Sequence, residues 1–165
     1  MNSEITTLFR FCVEADLQAV QQLVNDLYAS DPNVSDLRPD IALTFLELSR
    51  KPEKGRLVVF EKDSQIIGYC IAIFFWSNEY AGNIVEIDEL YISEHHRGSG
   101  IGTALFKWLK QTFADHLAGF SLQVAHHNKD ARRLYEKLGF LSSRNEHMIR
   151  IIPALTAVTQ PEPIR

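Results

Sequence analysis

The spacing of apolar residues changes rhythm several times along the chain, and each change marks an element. Leu8 to Val13 reads as a strand. Leu17, Val20, Leu23, Val24 and Leu27 then recur at helical spacing, which predicts a helix capped by Asp16 and running to about Ala29, where Asp31-Pro32-Asn33 stops it. Pro39 opens a second helix through Leu48, ended by Lys51-Pro52. The apolar runs Arg56–Glu61 and Gln65–Phe75 flank the polar turn Lys62-Asp63-Ser64 and predict a hairpin. Asn83–Ile92 is a further strand, and strict alternation would set Glu86, Asp88, Leu90 and Ile92 on one face and Ile87, Glu89 and Tyr91 on the other. Carboxylates on both faces of a strand expected to be central point to a function there.

Ile101, Ala104, Leu105, Trp108, Leu109 and Phe113 restore the helical period. A short strand, Phe120–Val124, follows, and then a helix, Lys129–Leu138, with Gly139 as its stop. Met148–Ile152 reads as a last strand. A front half joined by a hairpin and a back half that alternates strand and helix predict an α/β fold with a mixed sheet. The length of 165 residues suits one domain, placed at 1–152, with the proline-bearing tail 153–165 expected to be flexible.

Composition narrows the picture. A formal net charge of −4 argues against a nucleic-acid partner. No apolar run reaches the roughly 18 residues of a membrane span, and the N-terminus lacks the apolar core of a secretion signal. Cys12 and Cys70 lie among apolar neighbours and read as buried, reduced thiols, which makes the expected compartment the cytoplasm.

The sharpest feature is the turn Arg97, Gly98, Ser99, Gly100, Ile101 and Gly102, set between a strand and a helix. A helix N-terminus offers unpaired N–H groups and a positive dipole end, and glycines let a pyrophosphate come close to the backbone. A nucleoside-triphosphate loop would need a lysine after the last glycine, and a dinucleotide fingerprint would need different glycine spacing; neither is met. The pattern [QR]-x-x-G-x-[GA] is met by Arg97, Gly100 and Gly102.

The run DELYISEHHRGSGIGTAL resembles the acetyl-CoA-binding motif of the GCN5-related N-acetyltransferase superfamily. The run NKDARRLYEKLGF resembles the second signature of that superfamily, and the order of elements is similar along nearly the whole chain. The resemblance implies a twisted sheet of six or seven strands flanked by about four helices, with acetyl-CoA in a V-shaped cleft between splayed central strands. It implies main-chain contacts to the pantetheine arm from Leu90 and Ile92, pyrophosphate contacts from the amides of Arg97 to Gly102, and a cofactor contact from Asn128. Asn128 could equally be the N-cap of its helix, and the two roles are compatible.

By the same resemblance Tyr135 is the general acid that protonates the departing thiolate, although its position on an apolar helix face also suits a core residue. A carboxylate must take the proton of the attacking amine, and Asp88 is the first choice, with Glu89 and Glu86 behind it. The stretch FFWSNEYAGNIVEIDELYI is similar to the diamine and polyamine acetyltransferase branch, so the acceptor is expected to be a polyamine or another small amine. Asn128-Lys129-Asp130-Ala131 departs from that branch's proline-containing pattern. A protein or peptide amine, or a non-catalytic acyl-CoA sensor, stays open as an alternative. The resemblance also leads to the expectation of a homodimer. His95 with His96, and His126 with His127, lack the spacing of a metal site, so no metal is expected. Phe74, Phe75, Trp76 and Tyr80 read as packing residues that could also line an acceptor pocket.

Overall fold

A computed structural model describes residues 7–30, 37–115, 117–143, 145 and 147–150. Its order is β1 (Leu8–Phe11), α1 (Leu17–Ser30), α2 (Ile41–Arg50), β2 (Gly55–Lys62), β3 (Gln65–Ser77), β4 (Gly82–Ile92), α3 (Ile101–Thr112), β5 (Leu117–Leu122) and α4 (Lys129–Lys137). The strands form one sheet in the order β1-β2-β3-β4-β5. The first four run antiparallel, and β5 joins β4 in parallel. The hairpin between β2 and β3 turns on Asp63 and Ser64, both at positive φ (51° and 61°). Two consecutive positive-φ residues match the right-handed twist of the strands they join.

The expected α/β class with a mixed sheet and four helices is present, with five strands among the described residues instead of six or seven. Residues 148–150 of the expected last strand carry no regular structure, and Met148 and Ile149 are exposed. Ile151, Ile152, the tail 153–165 and the Asp31-Pro32-Asn33 stop lie outside the described residues.

Two cores form, one on each face of the sheet. Val58, Phe60, Cys70, Val85 and Ile87 pack with Ile101, Leu105, Phe106 and Leu109 of α3. Val59, Tyr69, Ile71 and Tyr91 pack with Val20, Leu23 and Val24 of α1 and with Ile41 and Leu48 of α2. The parallel step from β4 to β5 needs a crossover, which α3 supplies, and this places the start of α3 at the end of β4.

Asp16 was expected as a plain N-cap. Its carboxylate accepts the Val13 N–H (2.9 Å) and both terminal nitrogens of Arg10 (2.7 and 2.9 Å). Arg10 also donates to Glu61 on β2 at 2.8 Å. The guanidinium holds the Asp16 carboxyl below its ordinary range, and the pair ties β1 to the start of α1. Cys70 is fully buried as expected, whereas Cys12 is half-buried; both thiols are free.

Leu105 is fully buried at the centre of the first core. Leu105→Ala should cost about 2–5 kcal/mol of unfolding free energy. A chemical denaturation curve checks this, and a cost below about 1 kcal/mol would show that the α3 core is not packed as described.

Candidate functional site

The site begins with a defect in β4. Ile71 of β3 pairs with Glu89 and Ala72 pairs with Ile87, so Asp88 has no residue opposite it. This is a β-bulge, and it reverses the alternation beyond it. Leu90 and Ile92 therefore join Val85 and Ile87 on the α3 face, while Glu89 and Tyr91 face α1. The expectation that Asp88 shares a face with Leu90 and Ile92 is thus corrected: Asp88 is exposed and borders a groove against α2.

At the same place β4 loses a neighbour. Pairing with β5 ends at Ile87 opposite Leu122, while pairing with β3 continues to Ile92 opposite Gly68. Residues 88–92 thus present one strand edge to a cleft. Ser93 N–H donates to Ile67 O at 2.9 Å. Antiparallel pairs alternate between bonded and non-bonded positions, so Leu90 and Ile92 aim their N–H and C=O groups away from β3 and into the cleft.

The glycine turn closes the end of that cleft. Gly98 and Gly100 have φ of +74° and +84°, and nothing lies within 4 Å of where a Cβ would stand at either. The first helical bond of α3 runs from Ala104 N–H to Gly100 O, at 3.0 Å. The N–H groups of Ile101, Gly102 and Thr103 thus have no acceptor within the helix and are available to an anion. Ser99 holds the turn by donating its hydroxyl to His96 O at 2.7 Å. Gly102 has a different reason to be glycine, since a Cβ there would sit 2.5 Å from Leu134 Cδ2 of α4. An open backbone turn, a row of donors and an unpaired strand edge fit the pyrophosphate and amide-rich arm of acetyl-CoA.

Arg97 is engaged otherwise. Its N–H donates to Glu94 O (3.2 Å), its Nε donates to Ile92 O (2.8 Å), and its guanidinium lies 5.1 Å from the centre of the Tyr91 ring. It braces the turn and occupies one carbonyl of the open edge.

Tyr135 packs from α4 into the same cluster as Leu90 and Ile92, edge-on to Phe106 at 6.1 Å between ring centres. Its hydroxyl has no hydrogen-bond partner among the described residues. Burial, with a smaller contribution from Cys70, pushes its pKa up to about 12. Asn128 caps α4 by accepting the Ala131 N–H at 3.2 Å, which leaves its NH2 group free of that bond.

Glu89 is clamped. It accepts the Tyr28 hydroxyl at 2.6 Å and the Tyr69 hydroxyl at 2.7 Å, tying α1 and β3 to the strand beside the bulge. Burial first, and then the Glu89 charge, raise the pKa of Tyr69; Tyr28 is raised chiefly by burial. Both phenols stay protonated as donors. Glu86 accepts a hydrogen bond from Ser121 of β5. The two tyrosines and the bulge were not foreseen. Tyrosines near a strand of acids were visible, but 41 residues separate Tyr28 from Tyr69 in sequence. Phe74 borders the α2 groove, whereas exposed Phe75, Trp76 and Tyr80 lie toward the far hairpin end of β3 and β4.

No cluster of three or more His, Cys, Asp or Glu able to hold a metal lies among the described residues. No helix among them is long and apolar enough to cross a membrane.

Comparison with known proteins follows the same lines. The model of the Acetyltransferase (GNAT) family matches residues 18–140. YhfO of Bacillus subtilis (strain 168), an uncharacterized N-acetyltransferase, is 27% identical over 127 residues, covering 76% of this chain and 84% of that protein. A thialysine N-epsilon-acetyltransferase of Mus musculus is 32% identical over 77 residues, and the match spans 46% of this chain and 45% of that enzyme. Among solved structures, the aminoglycoside N-acetyltransferase AAC(6')-Iy in complex with CoA superposes with a TM-score of 0.72 at 15% identity, covering 92% of this chain and 98% of that one.

Although Asp88 reaches solvent, the strand and groove packed around it partly desolvate its carboxyl and hold it above its ordinary range, with added repulsion from Glu89 and Glu86. A folded-state pKa above the unfolded one means that stability is greatest at acid pH and falls as pH rises through the raised pKa. At neutral pH the ionised Asp88 therefore destabilises the fold. Asp88→Asn should raise the thermal midpoint at pH 7, and the gain should shrink below about pH 4, where both states are protonated. A midpoint lowered at pH 7 would contradict this assignment.

Proposed function

The chain belongs to the acetyltransferase (GNAT) family, and from that premise we propose that it transfers the acetyl group of acetyl-CoA to a small primary amine by direct attack. The observation that carries the reading is the β4 cleft. An open strand edge leads to the glycine turn, with Tyr135 on one side of β4 and Asp88 on the other.

When bound, acetyl-CoA supplies a thioester whose carbonyl is open to an unprotonated amine and whose sulfur departs as a thiolate. Leu90 and Ile92 hold the pantetheine arm as an added strand, and the amides of Gly98 to Gly102 hold the pyrophosphate. Asn128 donates its free NH2 group to the arm. Asp88, exposed on the groove side, takes the proton of the incoming ammonium, directly or through water. Its raised pKa makes it a better base than an ordinary carboxylate. Glu89 keeps its two phenol bonds and orients the strand beside Asp88, so its part is positioning and not proton transfer. The strand amide near Leu90 faces the cleft and stabilises the oxygen on which charge develops. Tyr135, protonated throughout the working range, delivers a proton to the departing sulfur.

The likeness to the diamine and polyamine branch and the local likeness to thialysine N-epsilon-acetyltransferases both support an amine on a flexible chain. The two free thiols support a cytoplasmic enzyme, and the family resemblance is what supports a homodimer.

Tyr135→Phe should lower kcat by about 100-fold, the usual scale for a lost general acid, with CoA affinity nearly unchanged. Free-thiol release from acetyl-CoA and calorimetric CoA binding measure the two effects. An unchanged kcat would remove Tyr135 from the mechanism.

A further inference from the structure

The groove beside Asp88 has a volume of about 490 Å³. Its walls are apolar, formed by Leu43 and Leu48 of α2 and by Ile71 and Ile73 of β3. Its end at Asp88 is acidic, and its other end carries one positive charge in excess, Lys51 and Lys54 against Glu47. Asp88 stands at one end with Glu86 and Glu89 near it on β4; partial desolvation first, and then these two charges, raise its pKa. Glu47 and Lys54 stand at the other. Glu47 is held by two cations there, Lys51 at 2.9 Å and Lys54 at 2.6 Å.

The register gives the span. Asp88 lies on β4 beside Ile71 and Ala72, and Lys54 directly precedes Gly55 of β2, which pairs with Ile73. Two interstrand spacings, about 10 Å, and an offset of two to three residues along the strands, about 8 Å, set the two backbone positions about 12–13 Å apart. Side-chain reach shortens this to the length of a five- or six-atom chain.

Resting on the transferase reading above, we propose that this groove takes an acceptor with an amine at one end, an apolar chain in the middle and an anionic group at the other, of the ω-amino acid type. The ammonium meets Asp88, the methylenes lie against the apolar walls, and the anion meets Lys54, which shares Glu47 with Lys51. A diamine of equal length would place its second ammonium at the basic end and is disfavoured there. The transfer balances as for any amine: the N–C bond forms and the C–S bond breaks; of the two protons the ammonium gives up, one passes to Asp88, and the second, lost as the tetrahedral adduct collapses, replaces the proton that Tyr135 gives to the departing sulfur, which leaves as a thiol.

The experiment compares 6-aminohexanoate, hexylamine, 1,6-diaminohexane and a short peptide with a free N-terminus as acceptors, read by thiol release from acetyl-CoA. The expected kcat/KM for 6-aminohexanoate exceeds that for the diamine by about fivefold or more, the scale of one exposed charge attracted in place of one repelled. Lys54 is half-exposed, so Lys54→Glu should fold, and it should reverse that order. A diamine equal to or better than 6-aminohexanoate, a peptide as the only acceptor, or a Lys54→Glu effect equal on all acceptors would overturn this inference and leave the transferase intact. Thiol release with none of the four, in protein shown to bind CoA, would overturn the transferase reading itself.

Discussion

Beyond Ile87 the fourth strand has a neighbour on one side only, and a second row of N–H and C=O groups must find partners that are not a strand. The local architecture follows from that unpaired edge. The bulge at Asp88 marks where β4 and β5 part. Arg97 satisfies the carbonyl of Ile92 with its side chain. The glycine turn then converts the end of the edge into the N-terminus of α3, so the strand donors and the helix donors face one concavity. A plain antiparallel sheet would have closed this gap with another strand. The parallel β5, delivered by the α3 crossover, pairs only as far as Leu122 and leaves the gap open.

The bulge also divides these side chains between the two faces of the sheet. Leu90, Ile92 and Tyr135 belong to the α3 and α4 side, and Glu89, Tyr69 and Tyr28 belong to the α1 and α2 side. Asp88 sits at the reversal. It bears a destabilised charge in an exposed position, the kind of local cost that proteins carry where function requires it. The neighbouring carboxylate has the opposite treatment. Two phenols satisfy Glu89 and fix the strand on that side, so two adjacent acids stand in different surroundings.

Much of this was legible in the sequence, because the signals were local. The glycine turn, the following helix period and the asparagine-to-tyrosine run each lie within about twenty contiguous residues, and the structure gives the turn, α3 and α4 in that order. The helices and the β2–β3 hairpin were found within a few residues of their ends. The face of Asp88 was not legible, because alternation is read along one strand whereas a bulge is set by the register of its partner. Tyr28 and Tyr69 were missed because they meet Glu89 from different elements. Asp16 looked like a cap, yet Arg10, six residues back, takes most of its carboxylate. Met148 and Ile149 read as part of a strand, yet both are exposed and carry no regular structure.

The central claim is that the open edge of β4 and the glycine turn together hold acetyl-CoA. Residue-resolved amide exchange of the full chain, with and without CoA, tests it most directly. The account predicts slowed exchange at the N–H groups of Leu90 and Ile92 and through Gly98 to Gly102, with little change along β1 and β2. Verified CoA binding that protects amides elsewhere, and leaves both of these segments exchanging as before, would contradict it.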